Sequence, residues 1–197
     1  MSIDPSISVL IAVASFVFAI SSFIFQQSRL IELEKQQTYQ RLELASNELF
    51  RFSASNAAVL VRYQAIEKSS DSDLSDVEKV IANNHIYQTL NLFEMAVRFR
   101  HKRLFDDDVF GSWVMWYYEI VGSWYFRETW KEIRSNYTSE LRSIFDKPVE
   151  EFDPRAADEV RRKQFFTHVA QVLHCPRVRQ WLHETADRDR GRAGRLP

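Results

Sequence analysis

Between Asp4 and Arg29 the chain carries twenty-four consecutive residues without an ionisable side chain, and from Ile7 to Phe25 most of them are Ile, Val, Leu, Phe or Ala. No other feature constrains the fold as strongly. At 1.5 Å rise per residue the run makes a helix of about 36 Å. The hydrocarbon core of a bilayer is about 30 Å thick, so such a helix spans it with some tilt. A cleaved signal peptide wants a basic start, a shorter apolar run and a small-residue cleavage site. Here the start is Met-Ser-Ile-Asp-Pro and the run ends in Phe23-Ile24-Phe25-Gln26-Gln27. A soluble helix apolar on every side would need a larger core around it. The favoured reading is an uncleaved transmembrane anchor over residues 1–28.

Orientation follows from the flanking cations. None precedes the span, whereas Arg29, Lys35 and Arg41 follow it closely. The positive-inside rule therefore puts the N-terminus outside and the remaining chain in the cytoplasm. The single cysteine, Cys175, cannot form an internal disulfide and agrees with a reducing compartment.

Within the span Ser8, Ala12, Ser15, Ala19 and Ser22 recur at spacings of four and three, which places small residues on one helical face. Lipid-embedded helices associate by close backbone approach, so this face suits a homo-oligomer. The plainer reading is that Ser and Ala are common in any membrane helix, and the two stand level here.

Beyond the anchor, the chain is long enough for one domain with its own core. Its 26 Lys and Arg against 27 Asp and Glu leave a net charge of −1, which argues against general nucleic-acid binding. No Pro occurs between Pro5 and Pro148, and no Gly before Gly111. Both residues destabilise helix interiors, so their scarcity predicts an all-α protein: one N-terminal transmembrane helix followed by a cytoplasmic helical bundle.

Residues 29–68 read as a helical stalk without a heptad, its segment 57–66 packing on the domain. Ser69 to Asp73 is a loop by composition, and Ser75 with Glu78 forms a capping box. The helix it opens should run to about Leu104 and bury Val77, Val80, Ile81, Tyr87, Leu90, Phe93 and Val97. Asp106 to Asp108 make a turn. Phe110, Trp113, Val114, Tyr117, Ile120, Val121 and Trp124 then form one continuous stripe, which Trp130, Ile133, Tyr137, Leu141 and Ile144 extend toward Asp146. A buried core helix is favoured here over an interfacial helix or a second span, because acidic and basic residues flank the segment closely. A break is expected over 148–154, with Asp153-Pro154 starting the next helix. Pro176 starts a last one, the folded domain covers 69–187, and the charged stretch 188–197 reads as a disordered tail.

The segment Leu90-Asn91-Leu92-Phe93-Glu94-Met95-Ala96, followed by an acidic turn and a Trp-rich helix with Arg127, Trp130, Arg134 and Tyr137, resembles a bacterial pattern. The family is that of domain of unknown function 4760. The likeness covers about residues 80–145 and the anchor. It implies one membrane helix with a helical cytoplasmic domain and brings no active site.

Asn91 and Glu94 lie one turn apart beside the apolar stripe, and a carboxylate so placed needs a partner or water. The favoured reading is a polar lock in which Glu94 pairs with Arg127 or Arg134; the alternative is an exposed pair between Glu94 and Arg98. The run Arg98, Arg100, Lys102 and Arg103 could hold lipid headgroups or another anion. The favoured explanation is simpler, since cations complement the dipole of a helix C-terminus. His168, His174, Cys175 and His183 match no zinc spacing, so no metal is expected. Phosphate loops and nucleophile motifs are missing too, so neither cofactor nor catalysis is expected. The leading expectation is an inner-membrane, single-pass interaction or scaffold protein contacting the lipid bilayer and a second copy or another protein. A ligand-gated membrane effector of a bacterial antiviral system and an accessory subunit of a larger membrane complex are the alternatives.

Overall fold

A computed structural model describes residues 5–68 and 73–193, and the side chains within them except those of 5–8, 11–12 and 185–193. The loop expected around Ser69 therefore lies mostly outside the described residues, as do the side chains of Ser8 and Ala12. All regular structure in the described residues is helical: α1 (Pro5–Ser55), α2 (Ala57–Tyr63), α3 (Asp76–His101), α4 (Asp107–Gly122), α5 (Trp124–Ile133), α6 (Ser139–Glu150), α7 (Asp158–Leu173) and α8 (Pro176–Ala193), with a single 3₁₀ turn at Arg134–Asn136.

Helix α1 is continuous over 51 residues, because nothing from Ser6 to Ser55 breaks a helix. It is also the one described helix long and apolar enough to cross a membrane. Its first part is bare, with Phe16 67% exposed, and Leu30, Ile31 and Leu33 remain exposed beyond the expected end of the span. From Thr38 onward the helix enters the core, and Leu42 is 1% exposed. The stalk expected over 29–68 is thus free only at its start. Leu42, Leu49, Leu60 and Tyr63 all belong to the main apolar cluster. Tyr39 meets Phe105 at 6.4 Å, whereas Phe52 meets His85 at 6.3 Å, so α1 and α3 run antiparallel.

Helix α3 opens on the expected capping box. Ser75 accepts from the Glu78 amide, and the Glu78 carboxylate accepts from the Ser75 N–H at 2.8 Å. Its buried face is rotated from the expected one. Val77 and Val80 are 71% and 68% exposed and Tyr87 is exposed, while Ala82, His85, Ile86, Thr89, Leu90, Phe93, Ala96 and Val97 face inward. The helix ends at His101 in a Schellman turn. Leu104 N–H reaches the Phe99 carbonyl and Arg103 N–H the Arg100 carbonyl, at 2.9 Å each. Arg103 supplies the left-handed residue, at φ 58°.

The stripe expected to run unbroken from Phe110 to Ile144 is divided among three helices. Ser123 ends α4 and caps α5 through the Phe126 amide, and Thr138 caps α6 through the Leu141 amide. Hydrophobic period survives these corners because each helix restarts with its apolar face inward. Phe110, Tyr117, Phe126, Trp130 and Phe145 are fully buried, linked to Phe93 through the rings of Tyr117 and Phe145, which places α4 in the domain core. Gly111 lets α8 approach: a Cβ there would sit 2.6 Å from Arg177 Cγ.

The break expected over 148–154 falls later. Pro148 lies inside α6, close enough to its end that the loss of one backbone donor is tolerated. Asp153 accepts from the Arg155 amide at 2.9 Å in a turn, and α7 starts only at Asp158 behind Ala157. Helix α8 persists to Ala193, into the stretch read as a tail from its charge; 194–197 lie outside the described residues.

Candidate functional site

The expected lock does not form. Glu94 Oε1 accepts the Thr138 backbone N–H at 3.0 Å, and its other oxygen lies 3.8 Å from exposed Arg98. Glu94 therefore ties α3 to the start of α6 and does not pair with Arg127 or Arg134, a correction to the expected lock. Arg134 pairs with Asp146 at 3.6 Å, and Asn91 is exposed. The physical reason is the corner at Thr138. It presents an unsatisfied helix-start amide, which a nearby carboxylate satisfies without burying a second charge.

Arg127 belongs to a different device. Its guanidinium donates to the Val121 and Gly122 carbonyls at 2.9 and 2.7 Å and to the Ile66 carbonyl, and it lies 3.8 Å from the Phe152 ring centroid. Burial, with Arg161 nearby, lowers its pKa to about 10. Ser123 Oγ donates to the Tyr63 carbonyl at 2.7 Å, Trp124 N–H to Ala65 at 2.9 Å and Trp124 Nε1 to Arg62 at 3.3 Å. The α4–α5 corner thus clasps the carbonyls left open where α2 ends.

The basic run is dispersed. Arg100 is largely buried, donating to Asp107 and to the Leu173 carbonyl at 2.9 Å each, and so joins the ends of α3, α4 and α7. Arg98, Lys102 and Arg103 are exposed. Of the small-residue face of α1, Ser15 and Ala19 are exposed and Ser22 is partly so, uncovered by the rest of the chain. Among the former metal candidates His168 bonds the Ser143 carbonyl at 2.7 Å and Cys175 is buried, while His174 and His183 are exposed.

A cavity lies where α1 to α4 meet, a space of about 360 Å³ lined by Leu49, Phe50, Phe93, Trp116 and Ile120. Its polar edge includes Ser53, Tyr63, His85, Thr89 and Glu119. Ser53 Oγ donates to the Leu49 carbonyl at 2.8 Å, which assigns His85 the Nε2–H tautomer: Nε2 donates to Ser53 Oγ at 3.0 Å and Nδ1 accepts a hydrogen bond from the Tyr63 hydroxyl. Burial lowers the His85 pKa to about 4 and raises that of Tyr63. In that tautomer every proton of the chain has an acceptor, and the neutral imidazole turns no lone pair toward Ser53. The trio is an interhelical tie within an apolar pocket, and it lacks the geometry of an activated nucleophile.

His85 does not stand out in the sequence because the α3 core face is built partly of small and polar residues. Positions 82, 85, 86, 89, 90, 93, 96 and 97 have a clear helical period, yet Ala, His and Thr contribute little apolar weight. Comparison with family models, curated proteins and solved structures gives no match.

Proposed function

We propose that the chain is a single-pass membrane-anchored interaction module, N-terminus outside and helical domain in the cytoplasm, assembling with copies of itself or a protein partner. One observation carries the reading: α1 leaves the described apolar side chains of its first half bare and builds its second half into the domain core without interruption. Anchor and domain then move as one element, as a scaffold that holds its partner at a fixed distance from a membrane requires. The cations at 29, 35 and 41 support the orientation. The resemblance to the domain of unknown function 4760 family and a place in a bacterial inner membrane belong to this proposal, and no catalytic role is assigned.

The test combines topology with copy number. A cysteine placed at exposed Glu184 should react with a membrane-impermeant maleimide only after cells are permeabilised; labelling of intact cells would reverse the orientation. Native mass spectrometry of the detergent-purified chain should report more than one copy, or a foreign subunit at fixed ratio. Ser15→Leu should lower the self-copy number if the small face mediates contact.

A ligand-gated effector is the second reading, favoured by the α1 residues Leu49, Phe50 and Ser53 in the cavity wall. A ligand there touches the helix that continues into the apolar segment. Overexpression with the signal should then be toxic, and Ser15→Leu should relieve the toxicity.

A further inference from the structure

Trp116 separates two cavities along the seam where α4 faces α1. The larger, of about 360 Å³, has Phe50 and Phe93 beside it, with ring centroids 4.9 and 6.2 Å from Trp116. The smaller, of about 270 Å³, has Tyr39, Phe105 and Trp113, the last edge-on to Trp116 at 5.5 Å. Aromatic faces carry negative potential and attract cations.

The ionised groups point the same way. Neither lining contains Lys or Arg, although the chain has 26 of them. Glu119 is the one acidic residue in the larger lining and Glu43 the one in the smaller. Both are exposed, and neither carboxylate is in a salt bridge among the described residues. His85 adds no positive charge at neutral pH, since its burial keeps the imidazole uncharged. An anion entering either space would meet a carboxylate and no cationic partner.

We infer that the larger cavity binds a small organic cation, an ammonium or amidinium group on an apolar body. The charge lies toward Glu119, and the body rests against Phe50, Phe93 and Trp116. A space of this size lies within the usual range for small-molecule sites. Ser53 and Thr89 at the polar edge can orient substituents on the body. The inference concerns the helical domain alone and does not depend on how the anchor is oriented.

Calorimetric titration of the detergent-purified full chain tests it, with phenyltrimethylammonium, uncharged tert-butylbenzene of the same shape, and benzoate as probes and empty micelles as the blank. The cation should bind at least about tenfold more tightly than tert-butylbenzene, and benzoate more weakly still. Glu119→Gln alters an exposed position and should fold normally, as its melting curve will report. It should weaken the cation about fivefold and leave tert-butylbenzene unchanged. Trp116→Leu should weaken both. Equal affinity for the cation and its uncharged analogue, an unchanged cation affinity in Glu119→Gln, or no cation binding up to about 10 mM would each overturn the assignment.

Discussion

The two halves of α1 share one unbroken backbone and have opposite surroundings. Around Phe16 and Phe18 large apolar side chains point outward on every side, whereas around Leu42 and Leu49 one face is sealed against the domain and the other is mostly polar, with Leu44 and Phe50 exposed among charged and amide residues. The contrast teaches that helix formation and burial are separable. Local propensity carries the helix through both halves. What each half packs against is settled by the spacing of its apolar residues, all round in the first and at Thr38, Leu42, Ala45 and Leu49 in the second.

The sharpest way to break this comparison is a matched truncation. Leu42→Ala should lower the unfolding free energy of the domain in detergent by about 3 kcal/mol, from lost burial and a residual cavity. Phe18→Ala should change it by less than about 0.5 kcal/mol. Similar losses in a urea titration would mean that the apolar half is also packed within the domain.

Acid acts on the packed half through His85 of α3, which bonds Ser53 of α1. His85 titrates near 6.5 when unfolded and is lowered to about 4 in the fold by burial. Its contribution is therefore whole above pH 6.5 and is lost as pH falls from there through 4, approaching about 3 kcal/mol in total. Denaturation curves across this window should show an extra slope that His85→Gln removes. Equal slopes in the two proteins would exclude His85 as the source.

A serine pair refines the contrast. Ser53 accepts from His85 at 3.0 Å, whereas Ser28 only returns a bond to the Ile24 carbonyl at 3.0 Å on an exposed surface. Ser53→Ala should cost about 1 kcal/mol by leaving the imidazole donor unpaired, and Ser28→Ala should be neutral in the same melt.

The smallest expected effect is a gain. Arg103 sits at φ 58°, where glycine is free of strain, so Arg103→Gly should stabilise the domain by about 0.5–1 kcal/mol. A loss would mean that its side chain does more than the turn requires.

Legibility in the sequence tracked how local each interaction is. The capping box at Ser75 and Glu78 lies within one turn and was readable from four residues. Ser123 and Thr138 are also cap residues, but a hydrophobic period that continues across both corners hid them. The rotated face of α3 was obscured by Val77 and Val80, which are apolar and exposed, and by His85 and Thr89, which are polar and buried. By charge alone Glu94 points to Arg127 and Arg134. Its partner is a backbone amide, a group every residue but proline carries and no sequence pattern marks.

The sequence by itself determined the helical class, the length of the apolar run in α1 and the scarcity of breakers that keeps α1 whole. These depend on neighbours a few residues apart and on the chain's own composition. Only the tertiary structure decided where α1 stops being exposed, which helix amides and carbonyls Glu94 and Arg127 satisfy, and that Glu119 shares a cation-free aromatic cavity with Phe50 and Trp116. Those outcomes join residues distant in the chain, so they arise from packing and from satisfying buried polar groups, which no single segment specifies. The apolar run of α1 could be recognised from composition alone; the seam between α1 and α4 became visible only once the helices were assembled.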